Sequence, residues 1–414
     1  MIALLMALSS SAQAANWVAL QNLEPSDPDK AGLRAWGFVQ VLGEGVYAQP
    51  VTGLEADKLQ PYNGELAVFN TVGNQGQPSA LNLRRVRVGV RGQIPGTAFN
   101  TFAAVELGQN GVTTAGGQWR PALMDASITW RSPGSVHVRV GQFKTPTSDA
   151  VLEAVHMSAD LLQFSVVTRR LLLERETSSD AATWTGRANG FRDVGVQVFG
   201  IHNPGPLELT WLVQGSNGTT RFGDNNPGKD VSARVQLAWQ LDDGPARSPT
   251  RQEAAVWAWG VTGTRPVWDG TQAQRTRAGG GAQLIHSGLR LRGEFIYAAG
   301  MLTTGFSPPF AGNPLAYNPD GDAWGTTALA SYRWNKLELG AHWAHLDSLP
   351  DGGADQRLLD EVAGFAQWHF SNKAWLNSNV VWRDIRAPEG SADAQRILDT
   401  IAPMYGLELT VIAP

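Results

Sequence analysis

The chain has 414 residues, 46 of them glycine and 16 tryptophan, no cysteine, and a formal net charge of −4. The missing cysteine excludes disulfides and thiolate metal sites, and the slightly acidic total excludes the bulk basic charge of a nucleic-acid binder. Only six of the 33 basic residues are lysines, so arginine carries most of the positive charge.

At the start of the chain, IALLMALSSSAQA is a short apolar stretch followed by small residues ending Ala12-Gln13-Ala14. This is the pattern of an export signal, residues 1–14, cleaved after Ala14 or Ala15. Residues 15–32 read as an N-terminal periplasmic segment. No later stretch approaches the ~20 continuous apolar residues of a membrane helix. A membrane-spanning form of this chain is therefore a β-barrel, assigned to residues 33–414.

From there on, alternating runs of about ten residues dominate, as half-buried strands require. In chain order they are Leu33–Gly43, Leu81–Gln93, Thr97–Gly108, Ala122–Arg131, Val136–Lys144, Arg192–Ile201, Leu207–Ser216 and Asp230–Leu241. The rest are Glu253–Arg265, Gln274–His286, Leu289–Met301, Trp324–Trp334, Lys336–Leu346, Glu361–Phe370, Trp375–Ile385 and Met404–Ile412. Sixteen is an even number, as in single-chain bacterial outer-membrane barrels. The connections alternate long and short: tight turns such as QIPG, SPGS, HSG, WNK and SNK separate long loops such as 44–80, 145–191 and 386–403. The expected fold is all-β, a transmembrane antiparallel barrel of 16 strands with long loops at one end. Aromatics near strand ends (Trp130, Trp239, Trp324, Trp334, Trp368, Trp382 and Tyr405) suit interfacial girdles. The third long loop, 145–191, is apolar and helix-like in spacing, with Ser148 or Asp149 as a cap. Folded inward, it would narrow the lumen.

Charge decides which face of each strand points inward, because an arginine facing lipid near the bilayer midplane costs about 2–4 kcal/mol. In the stretch LNLRRVRVGVRG, Val86, Val88 and Val90 share one face and Arg85, Arg87 and Arg91 the other. Arg84 falls on the valine side, at the outer rim. The same parity turns Arg34, Arg131, Arg139, Arg234, Arg275, Arg277, Arg290, Arg292, Arg333 and Arg383 inward. The inward acids are Glu106, Asp125, Asp193, Glu208, Glu294 and Glu408. A protein of net negative charge thus has a cationic lumen, which concentrates anions in the way arginine-lined pores select them. Arg85 to Arg91 covers about 20 Å of strand.

Three stretches resemble the phosphate-selective porin O and P family of the outer membrane. They are LNLRRVRVGVRGQIPGTAFNTFAAVELG, VHVRVGQFKTPTSDAVLEAVHMSADLLQFSVVTRRLLLERE and FRDVGVQVFG, together spanning roughly 81–200. The resemblance rests on Arg84–Arg91, on Gly141–Pro146 with Glu174 and Arg175, and on Arg192–Val196. It implies a trimer of sixteen-stranded barrels, an inward-folded third loop and an arginine ladder down the pore. The constriction loop would then contribute Lys144, Arg169, Arg170, Glu174 and Arg175. The chain departs from the family in its lysines, of which Lys144 alone opens the constriction loop. The implied partners are inorganic phosphate or other small anions and outer-membrane lipid, with no cofactor, metal, nucleic acid or enzyme activity.

Two alternatives stay open: a plugged, non-conducting scaffold barrel, and a general porin of weak selectivity. The HWAH stretch puts His342 and His345 on opposite strand faces, which argues against a shared metal. The acidic Asn318–Asp322 turn reads as solvated.

Overall fold

The computed structural model describes residues 16–22, 32–72, 77–110, 112, 121–157, 164–177, 184–218, 224, 226–242 and 251–413. The export signal lies outside them, as do residues 158–163 and 178–183 of the third loop. Sixteen antiparallel strands close into one barrel. In chain order they are β1 (Leu33–Val46), β2 (Ser79–Gln93), β3 (Phe99–Glu106), β4 (Ala122–Arg131), β5 (Val136–Lys144), β6 (Arg192–His202), β7 (Leu207–Ser216) and β8 (Asp230–Gln240). Then come β9 (Glu253–Pro266), β10 (Gln272–His286), β11 (Leu289–Ala299), β12 (Asp322–Trp334), β13 (Leu337–Ser348), β14 (Arg357–Ser371), β15 (Ala374–Arg386) and β16 (Met404–Ala413). The last strand pairs with the first, from Gly37 opposite Ala413 to Val46 opposite Met404. Closure leaves no edge, so every spanning backbone group finds a ladder partner.

Side chains alternate across this wall as the sequence expects. Val88, Val235, Leu339, Val362 and Leu407 are exposed on the outside, while Arg87, Arg234, Glu338, Glu361 and Glu408 are buried inside. The seven predicted girdle aromatics are all exposed on the outer surface. Trp130, Trp239, Trp334 and Trp368 lie near the short-turn ends of their strands, and Trp324, Trp382 and Tyr405 near the long-loop ends. Such rings favour the two headgroup levels. In the two-residue turn Ser287-Gly288, φ is 50° and 89°, as a hairpin turn of the right twist requires.

One bulge changes the parity reading. Gln40 pairs with Arg85 and Val41 with Leu83, so Arg84 is the extra residue on its strand. The expectation that Arg84 lies on the valine side is therefore corrected. It is buried, and its guanidinium meets Glu408 at 3.0 Å. A bulge re-aims a side chain that strict alternation would send to the opposite face.

The inside is not uniformly polar. Toward the long loops, Trp257, Trp259, Ile296, Ala323, Leu346, Leu359 and Ile385 face inward and form one apolar cluster. The cluster includes Val51 and Leu54 of the first loop, Val166, Val167 and Leu171–Leu173 of the third, and Ile397 and Leu398 of the last. The loops interlock through side chains as well. Tyr62 stacks on Phe310 with centroids 4.9 Å apart. Asp393, in the last loop, accepts from the backbone N–H groups of Ala56 and Glu55, which hold its carboxyl below the usual range.

Because Val88 is half exposed on the lipid-facing side of β2, Val88→Arg should destabilise the barrel by about 2–4 kcal/mol. Denaturant-dependent refolding into lipid vesicles measures this, and an unchanged midpoint would contradict the assigned facing.

Candidate functional site: inward-facing arginines and the third loop

The site is built from two strand groups and the loop between β5 and β6. Within the loop, the short helix α1 (Asp149–Leu152) is capped by Ser148, whose hydroxyl accepts from the Ala150 N–H. A second short helix, α2 (Val166–Leu171), is capped by Ser165 through the Thr168 N–H. Both caps satisfy helix-terminal donors that would otherwise be buried without a partner.

The loop's carboxylates reach inward-facing arginines on β8 to β11. Asp149 meets Arg234 at 3.2 Å. Glu153 takes Arg290 at 3.0 Å and Arg292 at 2.8 Å. Glu174 holds Arg265 at 3.1 Å, and Arg275 as well; Arg265 also meets Asp230 at 2.8 Å. Arg277 is fully buried, and its guanidinium donates to the carbonyls of Leu171, Thr276, Ala299, Gly300 and Met301. Glu294 joins the same framework, accepting from Ser148 Oγ at 2.6 Å and from both the Trp257 and Trp259 indoles. Those two rings lie over Gly281 and Gly279 of the next strand, where a Cβ would sit 2.7 Å and 2.6 Å from ring carbons. The glycines leave room for the rings beside the strand backbone.

A second group lies on β2 to β6. Arg85 donates to Gln40 at 2.8 Å, Arg87 pairs with Glu106 at 2.7 Å, and Arg192 pairs with Asp125 at 3.0 Å. Arg139 donates to Ser127 and lies 4.4 Å over the Phe143 ring. Lys144 donates to the Leu152 and Glu153 carbonyls rather than to a carboxylate. Arg85, Arg87, Lys144 and Arg192 line one small cavity beside Val151, Phe164 and Phe191. With Arg84 and Arg139, six cations face Glu106, Asp125 and Glu408 here, because the nearby Glu153 carboxylate is turned to Arg290 and Arg292. His156, in the loop, stacks on Phe38 with centroids 4.5 Å apart. Burial first, then the charges of Arg87 and Lys144, pushes its imidazole down to about 3, so the ring is neutral at physiological pH.

The remaining expected residues lie elsewhere. Arg91 donates to the Leu20 carbonyl at 2.5 Å. Arg131 and Arg333, half-buried, and Arg34, exposed, stand at the short-turn ends of their strands. Arg383 pairs with Glu361 at 2.8 Å. Arg169 is near Arg383 and Arg175, and Arg170 donates to Thr303 and Gly305 and stacks over Phe69. Arg175 is half-buried at the edge of a short hairpin with Ala188. The sequence reading missed Arg84, Arg192, Arg251 and Arg265 as inward cations, and Asp149 and Glu153 as the partners of Arg234, Arg290 and Arg292. Parity along Glu253–Arg265 points to Arg265 directly. Arg251, between Glu208 and Glu253, lies in a segment read as a turn, and the bulge at Arg84 leaves no mark in the alternation.

The closed sixteen-stranded barrel, with its outward aromatic belts and charged inward faces, defines the class of outer-membrane porins. Residues 64–253, a segment that carries the arginine-rich strand, match the family described as "Phosphate-selective porin O and P". Solved structures agree at the level of fold. The chain is similar to an anion-selective porin from Comamonas acidovorans, with 13% identity, TM-score 0.57, and coverage of 92% of this chain and 99% of that one. It is also similar to the outer membrane channel DcaP of Acinetobacter baumannii, with 10% identity, TM-score 0.56, and coverage of 95% and 99%. OmpT of Vibrio cholerae in its trimer form shares 12% identity and TM-score 0.52 over 92% and 99%. No curated protein matches the sequence.

Glu153→Gln should release Arg290 and Arg292 and raise the anion-to-cation permeability ratio. The reversal potential across a salt gradient reads this, and an unchanged ratio would show that the pair does not face the ion path. Because His156 is already neutral, the same ratio should stay flat between about pH 5.5 and 8, the range in which an ordinary histidine titrates. An inflection near pH 6.5 would place a protonatable imidazole in the path.

Proposed function

We propose that this chain is a passive outer-membrane channel for small anions, working as a homotrimer in the membrane. The observation that supports this most is the surplus of cations beside the third loop on β2 to β6. There Arg84, Arg85, Arg87, Arg139, Lys144 and Arg192 outnumber their carboxylates. A low-dielectric wall focuses that charge and raises the local anion concentration. Guanidinium groups suit oxyanions because their fork matches two oxygens at once. The pore residues act by weak, repeated contacts, since conduction needs sites that release as readily as they bind. Arg85 and Arg87 are two strand positions apart, about 7 Å, close enough for an ion to pass from one to the next.

The substrate class is small oxyanions rather than phosphate alone. The scarcity of lysine supports this breadth, because one ammonium at Lys144 offers little of the compact point charge that would add to the arginine forks. Fold and family indicate a channel rather than an enzyme, and the reading assigns no catalytic group, cofactor or metal. A second reading, a plugged scaffold barrel, draws on the apolar cluster that fills part of the inward surface near the long loops.

Single-channel recording in planar bilayers separates the two. The proposal expects an anion-preferring reversal potential, with phosphate, sulfate and small carboxylates each reducing chloride current. The double variant Arg85→Glu, Arg87→Glu should lower the anion-to-cation permeability ratio by about tenfold, the scale of electrostatic focusing in a charged cleft. No current from folded trimers would favour the scaffold, and a cation-preferring wild type would sink the anion reading.

A further inference from the structure

We infer that residues 16–22 are a resident plug at the short-turn mouth of the barrel, which sets how much of the arginine track an ion can reach. The inference rests on the channel reading. The segment is a single six-residue helix, Trp17–Asn22, preceded by Asn16. An isolated helix of this length does not hold itself together in water, so its seat must stabilise it.

That seat has three sides, each formed by inward-facing groups. On the first, Asn16 Nδ2 donates to Glu208 at 2.9 Å and to Thr210 at 2.7 Å, while its Oδ1 caps the helix at the Ala19 N–H. Val18 packs beside them against Phe199 and Leu212. On the second, the Leu20 carbonyl accepts from Arg91. On the third, Trp17 packs on Leu152 of the third loop, with Leu20, Ala154 and Met157 around it, and Gln21 Nε2 donates to the Leu152 carbonyl at 2.9 Å. Glu208, Thr210 and Arg91 all lie toward the short-turn ends of their strands. The segment therefore spans the lumen from the β6–β7 wall to the arginine track, directly beneath the loop that carries Lys144's acceptors.

Two features make it a plug rather than an adhering tail. It has no charged side chain, so it adds bulk without adding a competing ion. It also gives Arg91 a peptide carbonyl as partner in the place an anion would take, which ends the track at Arg87.

The test is a chain in which the export signal is joined directly to Leu23, omitting residues 16–22, recorded beside the wild type. Removing the plug should raise single-channel conductance about two-fold or more, since pore diameter limits flux, while anion preference persists through the uncovered Arg91. Equal conductance in the two folded proteins would overturn the inference. If the shortened chain does not fold, as judged by heat-modifiable gel mobility, the pair Val18→Cys, Leu212→Cys serves instead. The chain has no other cysteine, so oxidation should give one internal disulfide, seen as a loss of two hydrogens by mass, with wild-type conductance retained. Failure to cross-link would overturn the seat. A wild type that passes no current would count against the channel reading alone, because the cross-link still reports where the segment sits.

Discussion

A guanidinium on a membrane-spanning strand has only one tolerable direction. Facing lipid it costs about 2–4 kcal/mol near the midplane; facing inward it can find water, a carboxylate or a carbonyl. The rest of this structure depends on that constraint. It settles the facing of β2, β8, β10 and β11, and through the period of two it settles their apolar faces as well. It then requires partners, because an ion removed from water needs hydrogen bonds to offset its lost hydration. The chain supplies them from its third loop.

The arginines accordingly divide by partner. Those on β8 to β11 meet Asp149, Glu153, Glu174 and main-chain carbonyls, so they clamp the loop across the lumen. Those on β2 to β6 meet Gln40, Ser127 and only the carboxylates of Glu106, Asp125 and Glu408, so cations outnumber acids there. Glu294 ties the clamp together through Ser148 and two indoles. An arginine count alone therefore overstates the free charge: Arg234 and Arg290 are held by Asp149 and Glu153 of the third loop. The N-terminal helix joins the same network, its Leu20 carbonyl accepting from Arg91.

Much of the wall was legible residue by residue. Val88 against Arg87, Leu339 against Glu338 and Val235 against Arg234 follow from alternation, and the outward tryptophans follow from their places near strand ends. Strand boundaries moved by a few residues, most visibly in β14, which starts at Arg357 rather than Glu361, and in the first strand, which runs on to Val46. The bulge at Arg84 was not legible, because an extra residue is a property of two strands in register, and neither strand carries the register alone. Arg192 escaped for a similar reason: it sits at the first residue of its strand, where its side chain turns to Asp125 despite its parity.

By itself, the sequence determined the barrel class, the inward and outward faces and the cationic character of the lumen. These depend on local periodicity and on the cost of charge in lipid, and both act on each strand separately. Only the tertiary structure decided which cations remain available. Ion pairing joins residues more than a hundred positions apart, as between Glu153 and Arg290 or Arg84 and Glu408, and no local pattern encodes such a distance. The folded chain also decided that residues 16–22 take a seat among inward groups, since an uncharged six-residue helix gains its stability entirely from what it packs against.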